Sequence, residues 1–114
     1  MSRSKRRRVL TNKDLREQFL IFNNKFFGGR ISTSYKVRFA EIEDDGQELS
    51  DAREIRINAH LRWHPDLMCV VLLHEMAHAD LPEYVGYKHD EGHGMRFQAK
   101  LDELYRLGAY DGLL

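Results

Sequence analysis

One segment constrains this chain more than any other: PDLMCVVLLHEMAHA, Pro65 to Ala79. Up to Leu73 it is apolar on nearly every side, and a helix of that kind cannot lie on a surface. Other elements have to pack around it. Pro65 suits a first helical position, and Asp66 behind it complements the positive end of the helix dipole. Pro82 has no amide hydrogen to donate and is predicted to stop the helix by about Leu81. With 114 residues, 42% of them hydrophobic, the chain can bury a modest core and is expected to form one domain.

The flanking segments supply the packing partners. Thr11 with Asp14 three residues on resembles a capping pair. Leu15, Phe19, Phe22 and Phe26 then recur every three or four residues, one apolar stripe of an amphipathic helix that Gly28 and Gly29 terminate. YKVRF (Tyr35 to Phe39) and REIRIN (Arg53 to Asn58) alternate as half-buried strands do, with Ile55 and Ile57 facing inward. EDDG (Glu43 to Gly46) marks a turn between them, and Leu49 belongs to a short intervening strand. Short connections favour antiparallel pairing. Phe97, Leu101 and Leu104 define a last amphipathic helix ending near Gly108. The expected class is α+β: an N-terminal helix, a small, mainly antiparallel sheet, the histidine-bearing helix, a loop and a C-terminal helix.

Several functions are excluded or bounded by what is missing. The longest apolar run, Leu67 to Leu73, is too short to span a membrane. The N-terminus has no apolar signal region, so a cytoplasmic location is expected. Cys69 is the lone cysteine, which rules out an internal disulfide and a zinc ribbon built on paired CxxC motifs. The formal charge of zero hides an asymmetry, because Arg3, Lys5, Arg6, Arg7 and Arg8 sit together at the start. The remainder carries thirteen basic against eighteen acidic residues, a net of −5. Residues 1–10 therefore read as a basic, disordered arm ahead of a domain over 11–114. The arm is either a solvated tail or a contact for nucleic-acid phosphates.

The end of the buried helix carries the chemistry. His74 and His78 lie four residues apart, so on a helix both imidazoles project from one face and can reach a single zinc ion. Glu75 is placed to hydrogen-bond a zinc-bound water rather than the metal. In the HExxH arrangement of zinc metalloproteases the ion acidifies that water and polarises the scissile carbonyl, while the glutamate takes the proton and passes it to the departing amine. Two histidines and a glutamate rarely end a buried apolar helix unless they are paired or ligated.

A catalytic zinc needs a third protein ligand. The pattern HExxHxxGxxH does not apply, since Leu81 and Tyr84 stand where its glycine and histidine belong. Glu103 lies near the far end of the last helix. His93 and His89 are nearer, and His93 is favoured. Gly92 and Gly94 flank it, and it opens the last helix, a more rigid base than the loop holding His89. Cys69 reads as a core residue, and His60 and His64, either side of Trp63, read as structural. Asp90 and Glu91 are either solvated loop carboxylates or groups that orient a ligand histidine. Tyr84, Tyr87 and Tyr105 are unranked candidates for stabilising the transition state.

LLHEMAHA followed by EGHGMRF, with FNNKFFGGRI (Phe22 to Ile31) upstream, resembles the SprT-like, or Spartan-type, metalloproteases from about Leu15 to Leu107. The resemblance implies a minimal zincin-like domain with His74, His78 and His93 as ligands of one catalytic Zn2+ and Glu75 as acid/base. It also implies a zinc-dependent endopeptidase acting on proteins, often ones bound or crosslinked to DNA, with DNA as an activator in several members. Many relatives carry a C-terminal zinc ribbon or a recruitment module, and the acidic balance of residues 11–114 offers DNA little beyond the arm. Peptidase chemistry therefore carries over better than dependence on DNA. The competing readings are a zinc-binding protein without catalysis and a nucleic-acid-binding module on the same fold.

Overall fold

A computed structural model describes residues 8–81 and 94–113. In chain order it contains helix α1 (Asn12–Phe26), strands β1 (Lys36–Ala40), β2 (Gly46–Leu49) and β3 (Glu54–Asn58), a short 3-10 helix (Ala59–Trp63), and helices α2 (Pro65–Ala79) and α3 (Met95–Arg106). The class is α+β. No helix among the described residues is long and apolar enough to cross a membrane.

Helix α1 starts where its sequence says it should. Thr11 and Asp14 form a reciprocal capping box, each side chain accepting from the other's backbone amide. Gly28 and Gly29 take positive φ, 60° and 72°, and the Gly29 amide donates back to Asn23 O at 2.8 Å, closing the helix end. Asn23 is buried yet satisfied: its side chain donates to Ile31 O at 2.9 Å and accepts from Ile31 N at 3.1 Å. The stripe of Leu15, Phe19 and Phe22 goes into the core with Phe27 and Ile31.

The sheet corrects one expectation. Its order is β1-β3-β2, with β2 antiparallel to β3 as a hairpin but β1 parallel to β3. The sheet is therefore mixed rather than mainly antiparallel. The cause is the segment 41–45, which carries the chain from the end of β1 past the end of β3 to the far side. Asn58 holds that crossing: its side chain donates to Ile42 O at 2.8 Å and Asp44 O at 3.1 Å, and its amide to Asp45 O at 2.8 Å. A short link between strands can thus separate parallel neighbours when a third strand follows it. Leu49 ends β2, the short strand expected between the other two.

Pairing register fixes which residues face the helices. Ile55 and Ile57 are fully buried, and their cross-strand partners Val37, Phe39, Gly46 and Glu48 share that face. The opposite face is polar, with Arg38 and Arg56 both paired to Glu54. Helix α2 crosses the buried face beside β2 and β3. Its residues Met68, Val71, Leu72, Leu73, Met76 and Ala77 are buried, which is why its apolar character needs no amphipathic pattern. Helix α3 packs on α2, buries Phe97 and Leu104, and ends ahead of Gly108, whose φ is 83°.

Candidate active site

The last turn and a half of α2 brings His74, Glu75 and His78 together. The two imidazoles are half-buried, with ring centroids 5.1 Å apart and planes at 72°. Both rings meet Phe97 of α3. Glu75 is only 7% exposed, and among the described residues no hydrogen-bond donor or cation reaches its carboxylate. Burial, reinforced by the nearby negative charges of Glu48 and Asp44, pushes its pKa up to about 7. A cation held by the histidines would oppose that shift.

Glu75 divides two hollows between α2 and β2. The larger, about 580 Å³, is lined by Glu48, Leu49, Ser50, Asp51 and Ala52 of the β2–β3 hairpin together with Glu75 and His78. The smaller, about 260 Å³, is lined by Asp45, Gly46, Val70, Val71, His74 and Glu75. Each histidine therefore opens on its own side of the glutamate. Glu48 is held in place from two directions, its carboxylate accepting from Tyr35 Oη at 2.6 Å and Ser50 Oγ at 2.7 Å. Gly46 sets the gap between strand and helix. A Cβ there would stand 2.8 Å from Val71 Cγ1 and 3.0 Å from both Cγ and Oε2 of Glu75, so a side chain would press on the carboxylate.

Just beyond the histidines, Asp80 closes α2. Its side chain is 6% exposed and takes a bidentate pair from Arg30 (3.2 and 2.8 Å) and a third bond from Lys100 Nζ at 2.9 Å. Lys100 also reaches Glu103 at 2.9 Å, which engages the one helical glutamate considered as a metal donor. Three segments distant in sequence meet at this cluster.

Two imidazoles four residues apart on a helix are nitrogen donors of the kind zinc takes, two of the three or four it needs. Among the described residues, no group of three or more His, Cys, Asp and Glu side chains is gathered closely enough to hold a metal. His93, the expected third ligand, lies outside the described residues, as do His89, Asp90, Glu91, Tyr84 and Tyr87. Tyr105 is largely exposed. Cys69 is half-buried, its thiol pushed up to about 11 by burial and by Asp66, so it is a packing residue and not a nucleophile. His60 and His64 meet with ring centroids 4.9 Å apart and planes tilted by 50°, ahead of the first turn of α2 and far along it from Glu75. Of the basic arm, only Arg8 is described; its guanidinium pairs with Asp14 at 2.9 Å. Sequence reasoning missed Gly46, Glu48 and Asp80. A glycine opening a short strand was the only available signal for the first, and the other two had none.

The fold and this site together describe a small α+β domain with a histidine- and glutamate-bearing central helix. A model of the SprT-like family matches residues 15–110, and the chain belongs to that family. The family is metalloprotease-related and generally zinc-dependent. No curated protein and no solved structure matches the chain.

Proposed function

We propose that this chain is a zinc-dependent endopeptidase of the zincin type, with His74, His78 and His93 as metal ligands and Glu75 as the catalytic acid/base. The observation that carries this reading is the buried carboxylate of Glu75, which no donor or cation among the described residues meets, flanked by two histidines and open to hollows on both sides. A structural site would have no use for such a group. Zinc, when bound, supplies a Lewis acid that acidifies water and polarises the carbonyl to be attacked. Glu75 takes the proton of the attacking water and delivers it to the departing amine. Strand β2 is the edge of the sheet beside the cleft, and an extended peptide pairs with such an edge through its own backbone. Proteins bound or crosslinked to DNA are the substrates we expect, with Arg3, Lys5, Arg6, Arg7 and Arg8 as the proposed phosphate contacts, Arg8 also pairing with Asp14.

The deciding experiment incubates the purified protein with an unstructured protein, with zinc, with a chelator, and with or without single-stranded DNA. Cleavage that needs zinc and stops with chelator supports the reading. Zinc binding without cleavage under every condition points instead to a non-catalytic zinc protein. His93→Ala is expected to lose zinc; full retention of metal and activity would overturn the third-ligand assignment. Deleting residues 2–8 is expected to lower DNA affinity and flatten its salt dependence.

A further inference from the structure

Helix α3 meets the end of α2 at two points one turn apart, and both bear on the histidines. At the first, the Phe97 ring lies flat on His78, with centroids 4.1 Å apart and planes 18° from parallel. The same ring meets His74 edge-on, at 4.9 Å and 66°. At the second, Lys100 reaches Asp80, which Arg30 grips through both carboxylate oxygens. Phe97 is 1% exposed, so its ring is fixed by the core behind it.

Packing alone would ask only for bulk at this position. A flat ring against one imidazole and edge-on to another does more, because one rigid plane bears on the orientation of both imidazoles. We propose that Phe97 is a positioning residue for the metal, fixing the ring planes of His74 and His78. The Arg30–Asp80–Lys100 cluster holds α3, and with it Phe97, against the last turn of α2. The inference rests on reading the two histidines as ligands. It gives Phe97 the task that a hydrogen-bonding partner performs at many metal-bound histidines, but by shape instead of by a polar bond.

The test compares the full chain with Phe97→Leu, Asp80→Asn and Leu104→Ala. Zinc affinity is measured by competition with a chromophoric chelator, and the visible absorption of the Co2+-loaded form is recorded. Phe97→Leu keeps an apolar side chain but no plane; it is expected to bind zinc about 10-fold more weakly, with a changed Co2+ band. Asp80→Asn should shift both readouts in the same direction by less. Leu104→Ala opens a cavity in the same helix away from the rings and should bind both metals as the parent does. Parent-like affinity and spectrum in Phe97→Leu would overturn the proposal, as would an equal loss in Leu104→Ala. Should Phe97→Leu fail to fold, an unchanged affinity in Asp80→Asn overturns it. A parent chain that binds neither metal overturns the ligand reading itself.

Discussion

Two carboxylates sit five residues apart at the end of the same helix, both almost wholly out of solvent, and they are treated in opposite ways. Asp80 is met by Arg30 and Lys100, one from the segment after α1 and one from α3. Glu75 meets no cation and no donor among the described residues, only the negative potential of Glu48 and Asp44. The first carboxylate has been neutralised by the fold and ties three segments together. The second is left with a desolvation cost that no partner among the described residues offsets, which is what the proposed acid/base role requires of it. Burial by itself does not separate a structural charge from a working one; the partners do.

The comparison breaks most sharply through activity. Glu75→Gln is expected to lower peptide hydrolysis by about 10²–10⁴-fold while zinc content, measured by elemental analysis, stays at the parent level. Loss of metal with loss of activity would assign Glu75 to the ligand set instead. Asp80→Asn should leave a half-buried Lys100 and a tethered Arg30 short of their partner, and lower the free energy of unfolding by about 2–3 kcal/mol in urea titrations. Gly46→Ala should cost about 1–3 kcal/mol of stability through overpacking against Val71, and reduce turnover at unchanged zinc affinity because the same Cβ presses on Glu75.

In the metal-free protein at pH 8, Glu75→Gln should have the opposite sign to Asp80→Asn, raising stability by about 1 kcal/mol as a buried charge is replaced by an amide. The smallest effect belongs to Asp14, a partnered carboxylate at the surface. Its pKa is lowered to about 2 by the Arg8 guanidinium and the Thr11 amide. Its stabilising contribution is therefore present above about pH 4 and is lost as pH falls towards 2. The melting temperatures of the parent and Asp14→Asn should converge over that range.

Much of this was readable in the chain because the governing interactions are local. The Thr11–Asp14 box, the positive-φ glycines after α1, the inward Ile55 and Ile57, and the three helices all follow from neighbours within one or two turns. His74 and His78 share that legibility, since four-residue spacing on a helix is enough to place them on one face, and Glu75 follows as the residue beside the first of them. The parallel pairing of β1 with β3 was not readable. It depends on Asn58 gripping a segment thirteen to sixteen residues away, and no alternation pattern encodes that. Glu48 and Asp80 were illegible for the same reason: a lone acidic residue in the sequence carries no mark of the hydroxyls or cations that fold onto it. Phe97 was legible only as an apolar stripe residue, because its contact with the two imidazoles arises from how α3 docks.

The crossing at Asn58 has a further consequence for how such a domain can change. Residues 42, 44 and 45 are each bonded to that one asparagine, so the link leading into β2 has little freedom to grow or shrink. The hairpin at the other end of β2 is different: Asp51 and Ala52 are exposed, and they border the larger hollow. Insertions there would lengthen the wall of that hollow and leave Gly46 and Glu75 in place. One end of the strand is anchored beside the histidine-bearing helix and the other is free to vary in reach, so the hollow can be reshaped without rebuilding the centre.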